Sequence, residues 1–432
     1  MVSGLVKDWN KVVLPKMVLV KQNFHKDKKI DITKELRSQF TSYKLADRLK
    51  PKSKIAVAVG SRGIKDIDLI TKETINILKD CNFEPFIVPA MGSHGGATEA
   101  GQIQILNALG ITEEKMGVPI ISSLEVVEIG RVTIPSASLD FPVFIDKVAY
   151  NSDGIVVINR VKPHTLFRHE VESGLMKMLT IGLGKHMGAT IAHRNGFDIF
   201  HEVIPAVGSK ILENAPIYFG VAIVENAFEE TSEIKIVPKE DFLEEEKRLL
   251  IKAKSIMGKI KLSDLNLLIV KQIGKEFSGD GMDPNVTGRY CNPSIKPDIN
   301  IQRIVVLDVS EKNHGNATGI GAADIITKRC FEKIDLLSTY VNAYTATTLR
   351  GSQIPFIIDS DEEAIQVALT SCVRFNKNKP RIVYIPNTLY LEHLWISEDL
   401  VEEIKDSPDF EIIGEPEEML FDLEGNIINL PM

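Results

Sequence analysis

Short apolar runs alternate along the chain with segments in which apolar residues recur at helical spacing. This alternation is typical of an α/β fold, in which buried strands and covering helices follow one another. In the N-terminal part of the chain, the apolar runs predict strands at residues 55–59, 85–89, 155–158 and 218–224. The periodic segments between them predict helices at residues 67–78 and 98–109.

A charged helical pattern at residues 240–257 separates this set from a second one, and we place a domain boundary near its end. The chain is too long for one ordinary core, so we expect two domains, 1–257 and 258–432. The tail, residues 410–432, could pack on either of them. The second domain repeats the alternation, with strands predicted at 265–270, 304–307, 355–358 and 381–385 and helices near 322–330 and 362–369.

The composition is that of an ordinary globular protein, with 44% hydrophobic and 25% charged residues. The formal net charge of −8 argues against a general binder of nucleic acid or anionic membranes, because both favour basic surfaces. No apolar stretch approaches the roughly 20 residues that span a bilayer, and the N-terminus lacks the apolar segment of a secretory signal. The four cysteines form no Cys-x-x-Cys pair. We therefore expect a cytoplasmic protein with reduced thiols.

The most informative segment is residues 162–193, which follows the predicted strand 155–158. It begins with a Lys-Pro-His triplet at 162–164, and five of the nine histidines lie between His164 and His201. Histidines and lysines that cluster at the end of a buried strand are more typical of a chemical site than of a solvated surface.

A Gly-x-Gly-Lys-His stretch at residues 182–186 is not a Walker A phosphate loop. That motif needs a glycine where Leu179 stands and a serine or threonine where His186 stands. The backbone amides of this stretch could still hold a single phosphate. The His-Glu pairs that begin at His169 and His201 lack the second histidine of a zinc protease motif.

Three predicted strands end in residues that suit an anionic substrate and acid–base chemistry. Arg62 follows the first of these strands, His94 the second and His164 the third. If the strands are parallel neighbours, the three side chains converge at one edge of the sheet, where α/β folds bind ligands. Arginine binds a carboxylate through its forked guanidinium group, and two histidines around one ligand form an acid–base pair near neutral pH.

Each of these residues also has an ordinary structural interpretation. Arg62 could be a surface arginine held by a neighbouring acid, and His164 could cap a loop. Gly95 and Gly96 could simply close the turn between strand and helix, with His94 an incidental polar residue. Two other function classes stay open at this point. One is a metal-dependent hydrolase or lyase that uses a histidine cluster, and the other is a non-catalytic cofactor-binding protein.

Together these pieces resemble the nickel-dependent lactate racemase family. The resemblance is carried, in this order, by Ser61-Arg62-Gly63, residues 90–98, Lys162-Pro163-His164, Lys177 and His193. It is strongest over residues 10–215 and extends more loosely beyond them. The family implies two α/β domains with a cofactor and substrate cleft between them. It also implies racemisation or epimerisation of a small 2-hydroxy acid.

The resemblance further implies the nickel-pincer nucleotide, a pyridinium-3,5-bisthiocarboxylic acid mononucleotide whose two thio-acid groups grip nickel. Lys177 matches the lysine that forms a thioamide with this cofactor, and His193 matches the histidine that ligates the nickel. His94 and His164 match the acid–base pair at the substrate hydroxyl, and Arg62 matches the arginine on the substrate carboxylate. The enzymes that make the cofactor are expected partners. Further expected cofactor contacts are Gly95, Gly96 and Lys185.

The implied chemistry is a reversible hydride transfer coupled to proton transfer. Removing a proton from the carbon beside a carboxylate is hard, whereas removing a hydride gives a planar 2-keto acid that can take the hydride back on either face. One histidine would remove the hydroxyl proton from one enantiomer, and the other histidine would do so from the opposite side.

The chain departs from the lactate racemases at positions that concern the substrate. Val59 stands where the family carries an aspartate. In the second domain, Gln272 and Lys275 match part of the family's pattern and are expected to bind substrate. The polar loops 271–289 and 313–321 suit a ligand with more hydroxyls, or a second acid group, than lactate has. The sequence therefore leaves the identity of the 2-hydroxy acid open.

Overall fold

A computed structural model describes residues 4–7, 10–345 and 348–431 of the chain. The strands are β1 Met17–Gln22, β2 Lys54–Val59, β3 Glu84–Pro89, β4 Val126–Ile134, β5 Leu139–Asp146, β6 Gly154–Arg160, β7 Ile217–Glu225, β8 Thr231–Pro238, β9 Leu265–Ile273, β10 Ile301–Val309, β11 Ile325–Thr327, β12 Phe356–Ile358, β13 Ile382–Ile385, β14 His393–Ser397 and β15 Phe410–Ile412. The helices are α1 Ile32–Ser42, α2 Ile67–Asp80, α3 Glu99–Ala108, α4 Glu113–Met116, α5 Lys147–Tyr150, α6 Leu175–Lys177, α7 Lys185–Arg194, α8 Phe200–Asn214, α9 Phe242–Ile256, α10 Pro284–Thr287, α11 Lys328–Glu332, α12 Leu336–Thr345, α13 Asp361–Thr370 and α14 Val401–Ile404.

The chain forms two compact units, and the first unit is Lys26–Met257. Its main sheet has the order β3-β2-β6-β7-β8, with parallel pairing except between β7 and β8. Strand β2 shows why this sheet is covered on both faces. Val57 belongs to one hydrophobic core, whereas its neighbours Ala56 and Ala58 belong to the other. A strand that is apolar on both faces can be stable only in the middle of such a sandwich.

The second unit is Gly258–Met432 together with the N-terminal residues Met1–His25. Its eight-stranded sheet has the order β12-β11-β10-β9-β13-β14-β1-β15. The first five of these strands are parallel, and β14, β1 and β15 add to them in antiparallel pairs. Alternate residues of β9 again enter two separate cores, Leu267 in one and Leu268 in the other.

Some helices begin where a polar side chain satisfies one of their first backbone N–H groups. The side chain of Thr98 accepts the Gly101 N–H before α3, and that of Ser360 accepts the Glu363 N–H before α13. In the described part of the chain, no helix combines the length and the apolar character that crossing a bilayer requires.

The predicted α/β class is confirmed, and the predicted strands and most predicted helices are present. The helix predicted near 322–330 is wrong. Residues Ile325–Thr327 pair as a strand with β10 and β12, so only Lys328–Glu332 is helical there. With one neighbouring strand on each side, an extended backbone lets this segment pair with both and bury Ile325 and Ile326.

The first 25 residues, expected in the N-terminal domain, contribute to the second unit instead. Strand β1 lies between β14 and β15 of that sheet, because its backbone groups pair with both. The C-terminal tail also packs on the second unit. The Ile427 N–H donates a hydrogen bond of 3.1 Å to Asp361 Oδ2, and Met17 bridges to Glu417.

Candidate active site

The three residues predicted to converge follow adjacent parallel strands of the first unit. Arg62 follows β2, His94 follows β3, and His164 follows β6, and β2 pairs with both of the other strands. Because the carboxyl ends of parallel strands lie at the same edge of a sheet, all three residues begin from one edge. The strands are therefore parallel neighbours, which is what the predicted convergence of the three residues required.

A helical segment packs against this edge and carries Lys177 and His193. It consists of α6, a π-helical turn Met178–Gly182, and α7. The Gly92 N–H donates a 3.2 Å hydrogen bond to the carbonyl of Gly182. A Cβ on Gly182 would lie 2.7 Å from the carbonyl oxygen of Ala90, so there is no space for a side chain between strand end and helix. Because Gly92 and Gly182 have no side chains, the helical segment approaches the strand ends closely.

His164 sits in a loop that Glu172 organises. Lys162 and Ser173 close the base of this loop through backbone hydrogen bonds. The fully buried Glu172 carboxylate accepts the His164 N–H at 2.7 Å, and Lys254 and Arg168 donate to it at 2.5 and 3.2 Å. These charged partners offset the desolvation of the carboxylate, and together they hold the backbone of His164 in place.

The ring of His164 contacts the side chain of Lys177, with 2.7 Å between Nε2 and Nζ. Burial holds the pKa of His164 well below its usual value, and nearby positive groups, first among them Lys177, lower it further. The ring is therefore neutral near pH 7 and carries one N–H. Its Nδ1 lies 3.0 Å from the Leu166 backbone nitrogen, so both ring nitrogens have a polar partner.

His193, on α7, has the hydrogen bond that suits a metal ligand. Its Nδ1 lies 2.6 Å from the carbonyl of Ala189 and donates its proton to it. Nε2 then keeps its lone pair, which is the arrangement in which a second bond orients a metal-binding imidazole. Burial lowers the pKa of His193, so the ring is neutral. The rings of Phe197 and Phe200 pack against it at centroid distances of 5.5 and 5.3 Å.

Arg62 and His94 are more accessible than the residues on the helical segment. Both are exposed, and the ring nitrogen Nδ1 of His94 is hydrogen bonded to the hydroxyl of Ser61. This bond links the end of β2 to the turn after β3. It orients the ring of His94 at the edge of the sheet.

The two glycines after His94 have different surroundings. Gly95 has φ +69°, and a Cβ there would lie 2.6 Å from the backbone of Gly101 in α3. Gly96 has φ +65°, and a Cβ there would meet no atom within 4 Å. Gly95 is therefore required by packing within the protein, and only Gly96 presents open backbone to a ligand.

Lys185 does not fit the predicted role of a cofactor contact. Its side chain is fully buried, and its ammonium group lies 3.1 Å from Asp146 Oδ2. It also donates to the carbonyl of Pro89 at 2.7 Å and to Gln102 Oε1 at 3.1 Å. Gln102 in turn donates to the carbonyl of Gly92. Lys185 thus holds the turn between β3 and His94. Its side chain has no exposed surface for a ligand.

Replacing Lys185 with methionine should destabilise the protein strongly. The variant keeps the volume of the side chain but leaves the buried Asp146 carboxylate without its cation, a change that typically costs about 3–5 kcal/mol. Urea unfolding measures this loss. His186→Gln is the matched control, because His186 is exposed on the same helix and should change stability by no more than about 0.5 kcal/mol. Equal stability of both variants would contradict a structural role for Lys185.

Gln272 and Lys275 belong to the second unit and stay predicted substrate-binding residues. Gln272 is half-buried near the end of β9, and its N–H donates to the carbonyl of Pro386 at 3.0 Å. The backbone N–H of Lys275 donates to Asn313 Oδ1 at 2.9 Å, so the two polar loops of this unit are joined.

A conventional metal site finds no support in the donor groups. Within residues 4–7, 10–345 and 348–431, no group of three or more His, Cys, Asp or Glu side chains is arranged to hold an ion. His186, the histidine next to Lys185, is exposed on α7. A hydrolase that relied on protein ligands alone would need such a cluster.

Sequence reasoning missed two residues that shape the site, Glu172 and Gln102. A buried glutamate or glutamine looks no different in the sequence from an exposed one. Their partners lie up to 83 residues away in the chain, as with Lys185 and Gln102, so no local spacing signals them.

No protein-family model matches the chain, and no curated protein sequence matches it. Among solved structures, the lactate racemase apoprotein from Thermoanaerobacterium thermosaccharolyticum is similar to this chain. The two chains are 12% identical, and the match covers 81% of this chain and 94% of that chain, with a TM-score of 0.46. At this level of similarity, the case for a function rests on the residues of the site.

Proposed function

We propose that this chain is a racemase or epimerase of 2-hydroxy acids that works with the nickel-pincer nucleotide. The observation that carries the proposal is the contact between Lys177 and His164, with 2.7 Å between amine and ring nitrogen. A lysine amine held against a buried, neutral histidine is well placed to lose a proton and bond covalently to an acyl or thioacyl group. Lys177 is also the residue that the resemblance assigns to cofactor attachment.

The residues of the first unit fit this cofactor on chemical grounds. The pincer group supplies its own donors to nickel, so one protein ligand completes the site, and His193 offers a neutral Nε2. Lys162 and Arg168 add positive charge close to His164, which favours an anionic nucleotide and an anionic substrate. Gly96 presents open backbone at the turn after β3.

The cofactor, when bound, supplies an electron-poor ring that reversibly accepts a hydride. The chain's own residues supply binding and proton transfer. Arg62 binds the substrate carboxylate through its guanidinium fork. His94 and His164 each remove the hydroxyl proton from one enantiomer and return it to the other.

Attachment at Lys177 would also prepare His164 for this work. The positive charge of Lys177 lowers the pKa of His164, and acylation removes that charge because an amide or thioamide nitrogen is not protonated. Acylation of Lys177 therefore makes His164 a stronger base. Attachment and acid–base competence would be coupled through this one charge.

The proposal is tested by producing the protein with and without the enzymes that make the cofactor. We expect nickel and an added mass on the intact chain only in the first preparation. That preparation should also show deuterium wash-in at the α-carbon of at least one member of a panel of 2-hydroxy acids. A preparation with neither nickel nor added mass would overturn the proposed function.

His193→Ala should separate metal binding from covalent attachment. We expect the variant to keep the added mass at Lys177 but to lose nickel by at least about tenfold, since even outer partners of a metal ligand are worth roughly 10–100-fold in affinity. Elemental analysis and intact mass measure the two quantities on one sample. His186→Ala, an exposed histidine of the same helix, should retain both. Unchanged nickel in His193→Ala would remove its role as ligand.

A further inference from the structure

Glu246 is a buried carboxyl group directly behind the helical turn that carries Lys177. It lies on α9, and its side chain is fully buried in the first unit. Its Oε2 accepts the Met176 N–H at 2.8 Å, and the Leu175 N–H is also directed at the carboxyl. Lys177 is the next residue along the chain, so the carboxyl holds the backbone immediately before the proposed attachment point.

The fit between this carboxyl and the turn is tight. A Cβ on Gly174 would lie 2.5 Å from Glu246 Oε1, so only glycine leaves room for the carboxyl at the start of α6. The carbonyl of Gly174 is fixed from the other side, because it accepts the side-chain amide of Asn159 at 2.8 Å. The turn is thus held between strand β6 and helix α9.

Glu246 differs from the other fully buried glutamate near the site. Glu172 has Lys254 and Arg168 as charged partners. Glu246 instead relies on backbone N–H groups, and burial raises its pKa to about 7. A carboxylate in such surroundings destabilises the fold, and a hydrophobic side chain of similar volume would avoid that penalty. This penalty suggests a use for the charge beyond stability.

The charged groups on the elements packed around α9 are engaged elsewhere. On the capped turn itself the charged group is Lys177. The ion pairs of α9 and its neighbours are Lys247 with Glu170 and Glu244, Arg248 with Glu233 and Glu245, Lys252 with Glu233, and Lys254 with Glu172. The shift at Glu246 has burial as its cause, and the Met176 and Leu175 N–H groups oppose it.

We propose that Glu246 is a positioning residue, whose ionised carboxyl fixes the turn at residues 174–176 so that the amine of Lys177 faces His164. The proposal rests on the proposed function only in that it takes Lys177 to be the attachment residue. In its carboxylate form the group accepts both N–H groups strongly. In its protonated form it accepts them weakly, the turn loosens, and the amine leaves the ring of His164.

The test measures the acetylation rate of Lys177 in protein that has never met the cofactor. Trace N-hydroxysuccinimidyl acetate is added, and peptide mass spectrometry compares Lys177 with the half-buried Lys210. At pH 8, Glu246→Gln should lower the relative rate about 2- to 30-fold, the range that loss of a helix cap gives in an equilibrium constant. At pH 5.5 the wild type is protonated at Glu246, so the two proteins should react alike.

Two further variants keep the test decisive. Gly174→Ala leaves the charge intact but displaces the carboxyl, and it should lower the Lys177 rate as Glu246→Gln does. Glu245→Gln, on the same helix and paired with Arg248, is the control and should leave the rate unchanged. Equal Lys177 rates at pH 8 in wild type, Glu246→Gln and Gly174→Ala would overturn the proposal.

A stability measurement on the same proteins tells positioning from a merely structural role. The folded-state pKa of Glu246 lies above its ordinary value of 4.5, so its contribution to stability is complete below that pH and is lost as pH rises through about 7. Wild type should therefore lose stability relative to Glu246→Gln over this window, while it gains Lys177 reactivity. A variant less stable than wild type at pH 8, with an unchanged rate, would indicate a structural role only. Neither readout involves nickel, so failure here is distinct from failure of the proposed function.

Discussion

Lys177→Arg protein, produced together with the cofactor-making enzymes, should carry no added mass and show no isotope exchange with any 2-hydroxy acid. Arginine keeps the positive charge and the length of the side chain, but its guanidinium group stays protonated and cannot be acylated under these conditions. Without an attached cofactor, the chain has no group that accepts a hydride. Turnover should then fall to the uncatalysed rate, at least about 10⁶-fold below that of the wild type.

The matched control for this variant is Lys210→Arg. Lys210 lies on α8, where it pairs with the exposed Glu213 at 2.8 Å. This variant should keep the added mass and the activity. Circular dichroism and thermal unfolding of Lys177→Arg show whether the fold is intact. A folded Lys177→Arg protein with full activity would show that covalent attachment at this residue is not needed.

Replacing either acid–base histidine should slow one direction of the reaction more than the other. His94→Asn and His164→Asn each remove one proton-transfer group, and such a group typically contributes about 10²–10⁴-fold in rate. If the two rings face opposite sides of the substrate, each variant loses mainly the removal of the hydroxyl proton from one enantiomer. Exchange of solvent deuterium into each pure enantiomer, followed before equilibrium, measures the two directions separately.

The two variants also control for each other. Both variants should bind substrate within a few fold of wild type, because Arg62, the proposed carboxylate ligand, is present in each. The loss should appear in the turnover rate. His164 is buried and held by Glu172, so the fold of His164→Asn must be verified by thermal unfolding. Equal losses for both enantiomers in both variants would contradict opposite-face proton transfer. Unchanged turnover would remove the catalytic role of the histidine concerned.

The predicted strands were reliable because buried parallel strands need uninterrupted apolar runs, and residues 55–59 and 155–158 have them. The prediction near 322–330 failed because Ile325–Thr327 is too short a run to tell strand from helix by its period. Strand β1 was missed as a member of the second unit. Its partners lie more than 370 residues away, and local sequence carries no signal of such pairing.

At the candidate site, Arg62, His94, His164, Lys177 and His193 were selected from residue types and their order along the chain, and their roles stay predictions. Their protonation states were not predictable. The neutral ring of His164 follows from its burial, and the lone pair on Nε2 of His193 follows from the hydrogen bond to the carbonyl of Ala189. Hydrogen bonds of this kind depend on how the backbone folds around each ring.

The sequence alone determined the α/β class and the set of chemical groups, because apolar periodicity and residue identity are local properties. Only the tertiary structure decided which polar groups are buried and what they contact. Lys185 and Glu246 show this difference most clearly. One is a conspicuous lysine that packing removes from the ligand's reach, and the other is an inconspicuous glutamate that packing puts behind Lys177. Burial sets the electrostatic role of a charged side chain, and burial arises from contacts between distant segments.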